Sequence, residues 1–391
     1  MGTIQFDQVP DRRNTASLKW DFTEERYGGK DLLPMWVADM DFSSPEEVVN
    51  ALVDRAKHPV YGYTGATEEV YGSIISWMKT RHNWEIQKEW VTFSAGVVAG
   101  FTSAIIALSE PGDKILIQTP VYTPFFESIR KNGREIVENP LQYIDGTMKI
   151  DFAHFETKLQ EGVSLFLLCS PHNPGGHVWD KEDLQRIGDL CRKYNVTILS
   201  DEIHADLALP GHTHYPIASI SKEISDITVT FMAPSKTFNV AGIQASVVIT
   251  SNPDLRARLT NTQYRLGFHG LNLFALEAIK ASYTFGAYWL DQVTEYLQQH
   301  VERVVSFFEQ ELPYIKVIVP EASYLVWLDC TALGLSDKEL QKRLVEKGKI
   351  AISPGSLYGT GGEGHIRVNI GCSAEMLEDG LQRLKKALAK E

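Results

Sequence analysis

Five short, almost wholly apolar runs recur through the middle of this chain, and they constrain its fold more than any other feature. They cover residues 114–118, 165–169, 196–200, 228–232 and 245–249. Unbroken apolar runs of that length suit strands buried on both faces, as in a parallel sheet. Amphipathic stretches lie between them. The clearest is 181–194, with Leu184, Ile187, Leu190, Cys191 and Tyr194 on one face and Asp180 placed to cap it. This alternation predicts an α/β fold with a mostly parallel sheet covered by helices. A different regime follows. Residues 271 to about 312 read as helical, with Gly286 as the expected kink. Farther on, 323–329 and 365–370 alternate like half-buried strands, and Ser336-Asp337-Lys338-Glu339 reads as a capping box. The expected organisation is an N-terminal segment, 1–45, joining a small α+β domain at 286–391, with a large domain at 46–285 between them.

The formal net charge is −12 over 391 residues, with no long basic run. That argues against nucleic acid and anionic membranes as main partners. No apolar stretch reaches the roughly 18 residues of a membrane span, and the first residues lack the profile of a signal peptide. The four cysteines, Cys169, Cys191, Cys330 and Cys372, show neither metal-site nor disulfide spacing. A cytoplasmic location and no metal are expected.

Chemistry-bearing residues collect just past the apolar runs, where open α/β sheets bind ligands. Asp201 closes one run, and Lys236 follows another by way of Ala233-Pro234-Ser235. A lysine there can form a Schiff base, and an aspartate can hold a protonated ring nitrogen. Either residue alone reads first as a surface lysine or a capping aspartate; the surrounding segments overturn that reading. Gly96, Val97 and Val98 open an apolar helix whose N-terminus suits a phosphate. Tyr122 lies on a proline-stiffened turn and could stack on a flat ring or pack in the core. Asn173, in Pro171-His172-Asn173-Pro174-Gly175-Gly176, is held in a rigid turn from which it could donate to a ligand oxygen. His204 could reach the same ligand, orient Asp201 or serve structure alone. Arg367 faces away from the apolar side chains of its strand, as a carboxylate clamp would.

Taken together, Asn173-Pro174-x-Gly176, Asp201 and Ser235-Lys236 resemble the fold type I pyridoxal-phosphate (PLP) enzymes, the aspartate-aminotransferase superfamily, over nearly the whole chain. The segments 12–20, 33–42, 61–64, 200–207 and 233–239 resemble its β-C–S lyase branch, which includes cystathionine β-lyases. The resemblance implies a seven-stranded, mostly parallel sheet in the large domain and PLP as cofactor. It implies Lys236 as the Schiff-base lysine and Cα proton shuttle, Asp201 at the ring nitrogen, Asn173 at the phenolate oxygen and Tyr122 stacked on the ring. Val97 and Val98 N–H groups with Ser235 would hold the phosphate, and Tyr63 would reach it from the other subunit of a homodimer. Arg367, with the backbone of Val37 and Ala38, would bind the substrate carboxylate. The implied reaction is α,β-elimination from L-cystathionine, L-cysteine or S-conjugates, giving a thiol or hydrogen sulfide, pyruvate and ammonia. An aminotransferase, or a PLP-binding regulator, would use the same residues. One departure stands out: Gln244 occupies the position, eight residues past Lys236, where many aminotransferases carry a phosphate-pairing arginine.

Overall fold

A computed structural model describes residues 2–144 and 146–390. All five apolar runs form strands, joined by two more. In chain order they are β1 (Val91–Ser94), β2 (Lys114–Ile117), β3 (Glu135–Glu138), β4 (Val163–Cys169), β5 (Thr197–Asp201), β6 (Thr228–Met232) and β7 (Ser246–Ile249). Their spatial order is β1-β7-β6-β5-β4-β2-β3. Pairing is parallel from β6 to β3. Only β7 breaks the rule, running antiparallel to both β1 and β6. The cause is local: residues 233–245 hold only short helical turns, not the crossover helix that would carry the chain back for a parallel strand.

Register brings the chemistry together. Cys169 pairs with Asp201, and Asp201 with Phe231. The turns after β4, β5 and β6 therefore lie side by side at one edge of the sheet. Helix Val97–Leu108 packs beneath that edge, burying Phe101, Ala104 and Ile105 against Phe231 and Val248. A fully buried Phe or Ile contributes about 1.5–3 kcal/mol, so the entry to this helix is anchored from within.

The expected helix at 181–194 spans Lys181–Lys193, and the Asp180 side chain accepts from Asp183 N. Helices Leu273–Phe285 and Ala287–Glu311 meet at Gly286, the expected break. A Cβ there would lie 2.3 Å from the Phe238 ring and 2.5 Å from the Ser282 carbonyl oxygen. The junction thus presses on the segment that carries Lys236.

The C-terminal part holds a four-stranded antiparallel sheet in the order Lys316–Ile318, Leu325–Asp329, His365–Asn369, Ser353–Pro354. Helix Asp337–Arg343 begins with the expected capping box of Ser336 and Glu339. The N-terminal segment packs against this part: Leu33 and Pro34 pair in parallel with Ile350 and Ala351. Among the described residues, no helix is long and apolar enough to cross a membrane.

Candidate active site

A cavity of about 240 Å³ opens at the shared edge of β4, β5 and β6. Gly96, Val97, Val98, Tyr122, Asn173, Asp201, His204, Ser235, Lys236 and Ala38 all line it, with Cys169, Ile203 and Gln244 among the other walls. Residues from six separate stretches of sequence therefore converge on one space. Among the side chains lining it, Lys236 is the only lysine or arginine.

Helix Val97–Leu108 enters the cavity uncapped. Gly96 at its N-cap has φ 92° and offers no side-chain acceptor. Open space surrounds the place a Cβ would occupy. The first N–H groups of a helix have no intrahelical partner and form the positive end of its dipole. This is a seat for a phosphate, and the Ser235 hydroxyl faces the same space.

Asp201, only 2% exposed, ends β5 at the cavity floor. Its Oδ1 accepts from Ile203 N at 3.2 Å. Burial pushes its carboxyl up to about 7; neighbouring Glu202 adds to the rise, while the Ile203 N–H and Lys236 oppose it. A buried carboxylate so poorly compensated favours a cationic partner. Lys236 sits in the helical turn Pro234–Thr237, and its Nζ donates to Ala38 O at 2.5 Å. Enclosure pulls its amine down to about 8; Asp39 and Asp201 resist, and Arg367 assists. The next residue, Thr237, donates to Asp206 Oδ2 at 2.8 Å, and Asp206 also takes bonds from Trp77 Nε1 and His82 Nε2.

Tyr122 meets Phe125 edge-on at 6.1 Å. Burial raises its phenol to about 12, so it presents a neutral ring. His204 lies against Tyr324 at 6.4 Å, and its Nδ1 has no hydrogen-bond partner. Burial, then the charges of Lys236 and Arg367, push this imidazole down to about 3, so it is neutral as well.

Arg367 lies in the strand His365–Asn369. Ile366 and Val368 face the core, while the guanidinium turns the other way, 5% exposed. Nη1 donates to Asn173 Oδ1 at 3.1 Å and Nη2 to Trp36 O at 2.9 Å; Nε has no partner. The Tyr358 ring lies 5.2 Å from the guanidinium carbon. All of these neighbours are neutral. A buried cation without a counter-charge is a ready site for an incoming carboxylate. The Asn173 amide nitrogen remains free to donate into the cavity, because its oxygen serves Arg367.

Three expected residues lie off the cavity lining: Arg367, which meets it through Asn173, and Tyr63 and Val37. Tyr63 is fully exposed and stands off the cavity of its own chain. Val37 lies behind the wall, where its carbonyl accepts from Asn369 Nδ2. Two residues were not singled out by sequence reasoning. Asn369 shares a face with Arg367 by the two-residue strand repeat, a signal that could have found it. Asn239 hydrogen-bonds residues 40 and 42, and only the folded chain reveals that.

An uncapped helix, a buried aspartate and an enclosed lysine around one cavity, with an arginine lacking a counter-charge one hydrogen bond behind its wall, define an enzyme that handles an anionic, carboxylate-bearing small molecule. Residues 30–384 match the aminotransferase class I and II family, and the chain belongs to that family. It is 49% identical to cystathionine β-lyase PatB of Bacillus subtilis, over 99% of this chain and 100% of that protein. It is 33% identical to protein MalY of Escherichia coli, over 98% and 99%. The crystal structure of cystalysin from Treponema denticola, which contains a pyridoxal 5'-phosphate cofactor, superimposes with a TM-score of 0.96 at 38% identity, covering 99% of each chain. The architecture is that of the fold type I enzymes.

Proposed function

We propose that this protein is a PLP-dependent carbon–sulfur β-lyase that cleaves L-cystathionine, L-cysteine or cysteine S-conjugates. The observation that carries the reading is the enclosed Lys236 between buried Asp201 and the unpaired Arg367. The cavity fits the cofactor: the uncapped Gly96–Val97 helix entry suits its phosphate, and the undercompensated Asp201 suits its ring nitrogen. When bound, PLP draws electrons away from the substrate Cα.

The chain's own residues do the rest. Asn173 donates from its free amide to the phenolate side, and Tyr122 offers its ring face. Val97 and Val98 N–H groups and Ser235 take the phosphate. Gln244 lines the same cavity but brings no charge, so the helix terminus carries most of that anion. Arg367 orients the substrate by its carboxylate, with the backbone of Ala38 alongside. The Lys236 amine, already drawn toward its neutral form, takes the Cα proton onto Nζ. The Cβ–S bond then breaks with its electron pair on sulfur, and the thiolate leaves. The remaining three-carbon fragment hydrolyses to pyruvate and ammonia.

The active unit in this reading is a homodimer in the cytoplasm, with the chain divided at about 45/46 and 285/286. Tyr63, Tyr61, Val60, Leu266, Phe285 and Val98 are exposed. Such exposed apolar side chains, with Val98 at the phosphate seat among them, suit contact with a partner chain that supplies Tyr63. Four free, buried cysteines suit a reducing compartment. The test is thiol release: homocysteine from L-cystathionine and hydrogen sulfide from L-cysteine, both abolished in Lys236→Ala. Release of neither by the intact enzyme overturns the reading.

A further inference from the structure

Residues 36–42 run along the wall of the cavity, with Ala38 on its lining, as a strap whose carbonyls are held from both sides. From the C-terminal sheet, Arg367 Nη2 and Ser353 Oγ donate to Trp36 O. Asn369 Nδ2 donates to both Val37 O and Asp39 O. From the β6–β7 connection, Lys236 Nζ donates to Ala38 O, which also takes the Tyr324 hydroxyl at 2.9 Å. Asn239 grips the far end with three bonds. Its Nδ2 donates to Met40 O at 2.9 Å and Phe42 O at 2.8 Å, and its Oδ1 accepts from Met40 N at 3.1 Å. Arg12 and Lys19 stiffen the strap from outside, each pairing with both Asp39 and Asp41, most closely Arg12 with Asp39 at 2.7 Å and Lys19 with Asp41 at 2.6 Å.

One short segment thus touches the carboxylate-binding arginine at one end and the proton-accepting lysine at its middle. Ala38 O, the acceptor for Lys236, lies between the two carbonyls that Asn369 holds, and the Asn239 grip begins two residues farther on. Asn239 stands three residues beyond Lys236, in the left-handed region at φ 57°. Its side chain fixes the strap relative to the same backbone that carries the amine.

We propose that Asn239 and Asn369 are positioning residues that hold the 36–42 strap between Lys236 and Arg367, so that Ala38 O aims the Lys236 amine at the substrate Cα. This rests on the lyase reading only for the identity of Lys236 as the group that takes the Cα proton. Removing the Asn239 grip frees the strap from Met40 onward, and the shift passes through Asp39 to Ala38 and leaves the amine badly aimed. Removing the Asn369 grip loosens both carbonyls that flank Ala38 as well as the end of the strap nearest Arg367.

The test uses holoenzyme variants. Asn239→Gly deletes all three bonds while keeping a residue that adopts φ > 0 without cost. Asn239→Asp keeps the acceptor for Met40 N and loses the two donor bonds. Two readouts follow Lys236 rather than stability. One is the pH midpoint of the visible absorbance of the bound cofactor. The other is the deuterium effect on kcat with Cα-deuterated substrate.

Asn239→Gly is expected to lower kcat by at least tenfold, move the absorbance midpoint by about one pH unit or more and enlarge the deuterium effect, with KM within threefold of wild type. Asn239→Asp should fall between the two. Asn369→Ala frees the carbonyls on both sides of Ala38 and the end nearest Arg367, and is expected both to lower kcat and to raise KM by at least tenfold. Should Asn239→Gly fail to accumulate folded, Asn239→Asp decides by the same readouts. A lower melting temperature with an unmoved midpoint and deuterium effect would make these residues structural and overturn the proposal. Both readouts report Cα deprotonation whichever product follows, so they stand apart from the thiol-release test of the lyase reading.

Discussion

Arg367 Nη1 donates to Asn173 Oδ1 at 3.1 Å, which makes the guanidinium offered to the substrate and the amide offered to the cofactor one hydrogen-bonded unit. Binding at one end therefore orders the group that serves the other. The buried cation gains a dipole but no counter-charge, and its capacity for a carboxylate is kept.

That relationship predicts an asymmetry between two substitutions. Asn173→Asp places a carboxylate against Arg367, where it competes with the substrate. KM should rise by about a hundredfold, in line with the roughly 1.5–3 kcal/mol of a hydrogen bond to a charged group. Asn173→Ala only removes the orienting bond, and its KM should rise by roughly tenfold or less. Steady-state kinetics on both variants check the order.

Asp201 should trade stability for function. Burial raises its carboxyl to about 7, above the ordinary range near ~3.9. The folded, cofactor-free chain therefore binds a proton more tightly than the unfolded one between those values, and its stability falls as pH rises through that window. Asp201→Asn removes this slope. Urea unfolding of the cofactor-free proteins should find the variant more stable by on the order of 4 kcal/mol above pH ~7, the gap closing toward pH ~4. Its turnover should drop by at least ~10² for want of the charge that holds the ring nitrogen.

Lys236 gives a stability slope of the opposite sign, because here the unfolded chain binds the extra proton. Its amine falls to about 8, so the unfolded chain holds the extra proton from there up to the ordinary lysine range near ~10.4. Cofactor-free stability should rise with pH across that interval, and Lys236→Met should flatten it. Denaturant midpoints measured every half pH unit provide the check.

Gln244 lines a cavity whose only lysine or arginine is Lys236. Gln244→Arg should add a charge-assisted bond to the phosphate and tighten PLP by about tenfold or more, at roughly 1.5–3 kcal/mol per such bond. Equilibrium dialysis of the two proteins against PLP measures it.

The shared site can be tested by mixing chains. Neither Lys236→Ala nor Tyr63→Ala should be active alone. In a mixed dimer, one of the two sites keeps both residues. Random reassociation makes half the dimers mixed, so equal amounts should recover about one quarter of wild-type turnover if the dimer is symmetric. No recovery would place Tyr63 outside the partner's site.

The sheet and the ends of its strands were legible because buried parallel strands leave unbroken apolar runs, and Asp201, Asn173 and Lys236 sit just past them. The Gly286 break and the Ser336 capping box were legible because caps and kinks have local chemistry. The direction of β7 was not, since Ser246–Ile249 is as apolar as its parallel neighbours and only the short connection before it reverses the chain. Nor was the strap. Its carbonyls carry no side-chain signature, and the asparagines that hold it lie roughly 200 and 330 residues away in sequence.

The most direct measurement of the central claim is pyruvate formed from L-cystathionine by the PLP-loaded enzyme with no keto acid present. The account predicts sustained turnover, one pyruvate for each homocysteine, unchanged by added 2-oxoglutarate and absent from Lys236→Ala. Turnover that stops after one equivalent per site and resumes only when a keto acid is supplied would contradict it.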